Sequence, residues 1–564
     1  MGIELGKKSA EVPYQIDRAI NLQSPHVGEQ IFEHIDTNGL TQYLRVSDTW
    51  MVLAGNVLYK RWKGKLIEAC KTGQAEVVKI LLEHSGPQEL DWNTKDKNGR
   101  TALMWACKNG YHSAGHEQVV KALLEYSSIQ GIDLNAKDNT GMTAFMWACH
   151  NGHQRVAKVL LDHSGPQELD WNTKDKNGMT ALMWACKNGY YSVRHEQVVK
   201  ALLEYSSIQG IDLNAKDNTG KTAFMWACHN GHRRVAKVLL DHSNIEFNAV
   251  DDDGKTAFML ACDNGHQHVV KVLLDYSTIE LNVVDNFGWT AFMWACCKGH
   301  QHIVKALLDH SHSNIDFNAT EEDDRTAFWV ACYFGFIDVI LVVMENSGLK
   351  NIDLDTRDVD GLTPFMYVCE NGNKDIVKAL LAHSKEKNIN VNVKDNAGYT
   401  PFISACRKGH LEVVQMILNH SNTEPVDFNA KCNTYGMNGF MWASNRGHKE
   451  VVQLLLDNSE RKNIEINAKD NFGATAFMYP CELGKPEIIK VFLNSHAPNI
   501  DFNAKYPANG RTAFLLACHN GKTEIVQLLL ENFGVGIEIS KSIFYYPQIN
   551  DFRPEIKELL ERWK

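Results

Sequence analysis

Long apolar runs are missing from this chain of 564 residues. No stretch approaches the ~20 uninterrupted apolar residues of a membrane span; the greasiest, residues 334–344, contains Asp338. The first eight residues lack the apolar core of a secretory signal, and Gly6 stands where a myristoylation motif needs Ser or Thr. An intracellular protein, cytoplasmic or nuclear and not bound to membrane, is expected. Positive charge is also short: 58 Lys and Arg face 68 Asp and Glu, a formal net charge of -10. Phosphate neutralisation needs an excess of Lys and Arg on some face, so no nucleic-acid partner is expected. There is no Gly-Lys-Ser/Thr phosphate loop and no nucleophile elbow. The histidines recur at fixed positions, as structural residues do. An enzyme acting alone is not expected.

What is present is repetition, the feature to search for first. Residues 86–164 and 165–243 align without gaps and differ at six positions: Arg100/Met179, His112/Tyr191, Ala114/Val193, Gly115/Arg194, Met142/Lys221 and Gln154/Arg233. Four of these cluster at two inter-helix insertions, 111–115 and 190–194, or on neighbouring turns, and solvent exposure is expected there. A shorter unit of 34 to 42 residues runs through most of the chain. Asp-x-x-Gly, as in Asp138 to Gly141, supplies a tight turn whose Gly can take positive φ. The following Thr suits an N-cap, with Ala or Pro at the first helical position. A short apolar helix ends at a Gly, a second amphipathic helix ends in a pair such as Leu160 and Leu161, and a polar loop with Asn leads on.

Twelve of the 14 cysteines occupy one position of this unit, Cys70 and Cys107 being the first two; only Cys297 and Cys432 fall outside it. Single, evenly spaced cysteines are neither a disulfide nor a zinc framework and behave as small buried hydrophobes. Cys-x-x-x-His occurs five times, as at Cys149 and His153, but straddles the Gly turn without a second ligand pair. No metal and no cofactor is expected. Six tryptophans (105, 147, 184, 226, 294 and 442) lie two residues before that Cys or its substitute Ser444. Packing between repeats and ligand contact are both open to them.

Turn, helix, turn, helix at this period resembles the ankyrin repeat, whose pattern is Asp-x-x-Gly-x-Thr-Pro-Leu-His-x-Ala-Ala-x-x-Gly-His. The resemblance covers about residues 66–533, twelve full units plus an initial helix pair without its turn. It implies an all-α fold, an ankyrin-repeat solenoid of helix-turn-helix units with short β-turn or hairpin loops. The motif His is mostly Met here, as at Met104, Met146 and Met225, so packing is expected to replace its hydrogen bonding. Pro480 falls inside a first helix and should distort it.

Ahead of the repeats, Val27, Ile31 and Ile35 share one helical face, and Leu40, Leu44, Val46, Trp50 and Leu53 suggest further short helices. The set Pro25, Ile31, Phe32, Ile35, Leu40, Val46, Trp50, Leu58 and Trp62 resembles an F-box. That motif docks substrate receptors on the Skp-type adaptor of cullin-based ubiquitin ligases; Ser24 replaces the Leu of its usual Leu-Pro opening. A plain helical cap over the end of the array accounts for the same residues. The division expected is a leader at 1–21, an F-box-like domain at 22–63, repeats at 64–533 and a capping segment at 534–564. Residues 61–65 run into the first repeat without a flexible spacer, which predicts a rigid joint.

Repeat solenoids bind along a concave face. At those positions the early repeats are polar, as at Lys108, His150, Lys187 and His229, whereas the middle ones carry acids and aromatics. Asp252, Phe287, Trp289, Arg325, Tyr333, Phe334 and Tyr399 are the candidate contact residues, because aromatics and Arg dominate interface hot spots. The acids suit a partner segment with basic and apolar groups. Asn248 and Asn282 lie in contexts similar to ankyrin substrates of an asparaginyl hydroxylase, so the resemblance makes them candidate hydroxylation positions. The function expected is an adaptor for a ubiquitin ligase, a monomer within a complex; a scaffold or sequestering protein without that link is the alternative.

Overall fold

The computed structural model describes residues 29–563, apart from 31, 46–47, 86–88, 111–113, 164–168, 190–192, 311–313, 421–424, 496–498, 508–509, 533–536 and 538–548. Pro25, Ile31 and Val46 therefore lie outside the described residues. The chain forms two compact bodies, Met1–Glu280 and Leu281–Lys564. The described residues of both are helices and turns; the only pairings of β type are isolated bridges, Val250 with Thr256 and Thr320 with Thr326.

Each repeat starts as its chemistry requires. In Ala144–His150 the Thr143 hydroxyl accepts the Met146 N–H, satisfying an amide that the helix leaves open. Ten Thr residues and Asn438 cap first helices this way, for example in Ala102–Lys108, Ala327–Phe334 and Gly439–Arg446. The Met that replaces the motif His does more than pack. At Met104, Met183, Met225 and Met293 the sulfur accepts the N–H of the capping Thr at 3.4–3.5 Å. Pro480 has the expected effect: its helix, Met478–Leu483, begins three residues after Thr475, whose buried hydroxyl is left without a partner.

Within each body, first helices pack on first helices and second helices on second helices. Every cysteine is buried and free, and burial pushes the repeat-position thiols up, as at Cys70, Cys149 and Cys369. The polar loops are tied across repeats by Asn. Asn392 donates to Pro425 O (3.0 Å) and accepts the Asp427 N–H (2.8 Å). Asp355 holds this position once: one oxygen accepts the Asn390 N–H at 2.8 Å, and the other is buried with no hydrogen-bond partner. Burial pushes its carboxyl up to about 6, against the Asn390 amide.

The N-terminal segment packs directly onto the repeats. Helix Asp48–Trp62 lies against the second helix of the first repeat, Ala75–His84. Tyr59 donates to Glu89 (2.9 Å), while Arg61 ties the segment together through the carbonyls of Ile35 and Glu33. At the far end, helix Pro554–Trp563 buries Ile556 and Leu560 and packs on Thr523–Glu531. No helix among the described residues is long and apolar enough to cross a membrane, and no cluster among them suits a metal ion.

Candidate protein-binding surfaces

Three groups of side chains carry the candidate surfaces, and the structure sorts the sequence-predicted residues among them. In the N-terminal segment, Phe32, Leu40, Trp50 and Leu58 are wholly interior. Phe32, Tyr43 and Trp50 form a ring cluster with centroids 5.1–5.7 Å apart. Phe32, Leu40, Trp50 and Leu58 thus face the interior of the segment, while Tyr43 is half-buried. Ile35 and Trp62 are half-buried, with the Trp62 indole donating to Thr37. The exposed apolar side chains here are Met51 and Val52, 49% and 54% exposed. Their interior-like chemistry hides them from a sequence reading.

In the C-terminal body, Tyr333 and Phe334 are 46% and 48% exposed. Tyr333 stacks between Trp329 and Tyr367, at 5.6 and 5.1 Å, and meets Phe334 edge-on at 5.0 Å. Arg325 sits 4.5 Å from the Trp329 ring, but Asp323 at 2.8 Å and Asp358 at 3.9 Å engage its guanidinium. Arg325 thus pairs with acids of two successive repeats. Phe287, 59% exposed, crowns its turn, while Trp289 is half-buried against Trp294 at 4.9 Å. Tyr399 is half-buried under Arg407 and near Trp442. Tyr435 and Phe472 are exposed at the turn position of Phe287, a periodicity that would have revealed them. Asp252 is exposed on a turn of the N-terminal body.

The N-terminal body carries a stripe that the sequence reading treats as merely polar. Its tryptophans are neither simply core nor open. Trp105, Trp147, Trp184 and Trp226 each donate their indole N–H to the turn Asp nine residues earlier, at 2.9–3.1 Å. The other oxygen of that Asp takes turn amides, as Asp138 does from Thr140 and Met142. Burial alone raises Asp138, yet Thr140, the Met142 amide and the Trp147 indole hold it below the usual carboxylate range. Cations and imidazoles fill the gaps between rings. Lys108 lies 5.2 Å from Trp105 and 4.3 Å from Trp147, and Lys187 lies 5.2 Å from Trp184 and 4.0 Å from Trp226. His150 sits between Trp147 and Trp184 at 5.3 and 4.8 Å.

Histidines of the Cys-x-x-x-His pairs are struts. His153 bonds Lys108 O at 2.9 Å, and His232 bonds Lys187 O at 2.9 Å. In the repeats with insertions, His116 and His195 take over that contact, to Lys71 O and His150 O. Gly231 shows why the turn needs glycine: φ is +75°, and a Cβ would meet the His266 ring at 2.4 Å. Two of the six differences between the duplicated blocks are not solvent-facing, since Met142 and Met179 are buried. Their counterparts Lys221 and Arg100 pair with the next repeat's Asp, Lys221 with Asp251 at 3.0 Å and Arg100 with Asp138 at 3.6 Å. Asn248 and Asn282 are loop bridges like Asn392: their amides donate to Thr278 O and Asn314 O at 2.8 and 2.9 Å.

Family models described as ankyrin repeats in three copies match residues 60–138, 113–217, 191–285, 277–358, 328–431 and 423–506, and a single-repeat model matches 509–539. Among solved structures, the chain is similar to the ankyrin repeat domain of Bcl-3, described as a unique member of the IkappaB protein family. The identity is 23% and the TM-score 0.36, over 43% of this chain and 96% of that one. No curated protein matches the chain.

Proposed function

The chain belongs to the ankyrin-repeat family, and we propose that it is a non-catalytic adaptor that joins a substrate protein to a ubiquitin-ligase core. Ankyrin repeats are protein-binding modules, and the finer reading concerns what binds at each place. The F-box-like segment, 22–63, docks a Skp-type adaptor and through it the cullin core. The repeats, 64–533, hold the substrate, and 534–564 closes the array. The observation that carries this reading is the direct seating of helix Asp48–Trp62 on the first repeat with Met51 and Val52 left exposed. A partner held there is fixed relative to the repeats. The substrate surface is the exposed set Phe287, Tyr333 and Phe334 beside the acidic turn 321–324, which suits a segment with basic and apolar groups.

Co-purification with a Skp-type adaptor tests the docking half. Met51→Glu with Val52→Glu is expected to abolish capture while the chain stays folded. Trp50→Ala is the wrong probe, because truncating this buried ring costs about 3–5 kcal/mol of stability. A wild-type chain that captures no adaptor leaves the scaffold or sequestering role. Tyr333→Ala with Phe334→Ala tests the substrate half, with loss of a Lys/Arg-rich apolar peptide expected and unchanged binding fatal to it.

A further inference from the structure

The stripe of the N-terminal body holds cations whose counter-ions are committed elsewhere. The turn acids Asp96, Asp138, Asp175 and Asp217 each face their own backbone with one oxygen and an indole N–H with the other. Among the described residues, Lys71, Lys108 and Lys187 have no carboxylate partner; their ammonium groups rest on indole rings at 4.0–5.2 Å. A second row runs alongside. The exposed Lys95, Lys137, Lys174 and Lys216 each donate to a carbonyl of the next repeat, at 2.6–3.2 Å, and pair with no acid. A carbonyl or a ring brings a lysine no counter-charge, so two rows of lysines without a carboxylate in direct contact run along five successive repeats.

We propose that this double row is a recognition surface for an acidic, extended segment of a partner protein, whose carboxylates pair with Lys71, Lys108 and Lys187 on one side and the turn lysines on the other. Charge complementarity selects the occupant, and the rings decide its class. A single-stranded nucleic acid needs open aromatic faces on which bases stack. Here Trp147 lies between Lys108 and His150, Trp184 between His150 and Lys187, and Trp226 between Lys187 and His229. Carboxylates need no ring face; they need the ammonium groups, which the rings hold in place with little side-chain freedom left to lose. Desolvation and the neighbouring Arg100 lower Lys108 from its ordinary value, against the pull of Asp138 and Asp96, so an arriving carboxylate would restore it. The proposal rests on the protein-binding role above, on a surface of opposite charge and on different residues.

The full-length chain is titrated with a labelled Asp/Glu-rich peptide, a Lys/Arg-rich apolar peptide and oligothymidylate, reading anisotropy and tryptophan emission. The acidic peptide is expected to bind, shift the emission and weaken with salt. Lys108→Glu with Lys187→Glu should weaken it by at least about tenfold and leave the basic peptide unaffected; Lys108→Gln with Lys187→Gln serves if the reversal disturbs folding. Equal acidic-peptide binding by these variants, no binding by the wild type, or tighter binding of oligothymidylate overturns the proposal. Failure of the acidic peptide alone, with the basic peptide still lost in Tyr333→Ala, sinks this inference and spares the adaptor reading.

Discussion

Asp138 and Asp358 hold the same turn position in the two bodies, yet their carboxyls move in opposite directions. Both are buried, and burial raises each. In the N-terminal body Thr140, the Met142 amide and the Trp147 indole reverse that rise; at Asp358 the residue in the Trp position is Tyr367, no indole donates, and the carboxyl stays high. Asp395, with Ser404 in that place, is raised as well. The residue nine positions after the turn acid therefore decides whether a ring donor shares in holding the turn. The N-terminal body consumes its rings and displays lysines. The C-terminal body commits two rings in the same way, Trp294 to Asp285 and Tyr479 to Asp470, but displays others, at Phe287, Tyr333 and Phe334, and carries acids in turns such as 321–324.

The largest way to break this contrast is to remove the turn acid. Asp138→Ala strips partners from two amides, a hydroxyl and an indole and should cost about 3 kcal/mol. Glu321→Ala, at the same position of a C-terminal repeat, removes one bond of 3.3 Å and should cost under about 1 kcal/mol. Amide hydrogen exchange resolves each loss locally, which a global melt of a repeat array does not.

Acidification should separate the bodies next. Burial lowers His150, His195, His229 and His232, and pushes His153 down to about 4. Unfolded His takes up its proton near about 6.5, so the unfolded N-terminal body binds more protons and stability there falls as pH drops through that value. Asp355 works the other way. Its folded value of about 6 exceeds the unfolded ~3.9, so its contribution is complete below about 4 and is lost as pH rises through 6. Asp355→Asn, which supplies the missing amide donor, should stabilise that junction by about 1–2 kcal/mol at pH 7 and change little at pH 4. Exchange rates compared across pH in both proteins check both signs.

The narrowest comparison is the ring alone. Trp147→Phe keeps the packing and loses a bond to a charged acceptor, costing about 2 kcal/mol. Trp329→Phe loses a 3.3 Å bond to Leu362 O, costing under about 1 kcal/mol. Equal costs would erase the distinction between a ring that holds a turn carboxylate and one that meets only a carbonyl of the next repeat.

Much of this fold is legible in the sequence because its determinants are local. Thr143 caps the helix it precedes, Gly231 allows a turn of positive φ, and the cysteine period marks a buried column. Partners set by turn geometry are harder to read. Trp147 and Asp138 lie nine residues apart with a turn and a cap between them, and nothing in that spacing states that indole and carboxylate converge. In the N-terminal segment one pattern fits two roles. Phe32, Leu40, Trp50 and Leu58 have the pattern of a docking motif, but periodic apolar residues describe an interior equally well, and interior is where they lie. Arg325 has hot-spot chemistry in a promising place, and two acids engage it, Asp323 in its own turn and Asp358 in the next repeat.

The central claim is that one ankyrin array carries two recognition surfaces of opposite charge. The most direct measurement is a binding matrix: acidic and basic peptides, each titrated against Lys108→Glu with Lys187→Glu and against Tyr333→Ala with Phe334→Ala. The account predicts that the first variant loses only the acidic peptide and the second only the basic one. Loss of both peptides in the same variant, or of neither in both, would contradict it.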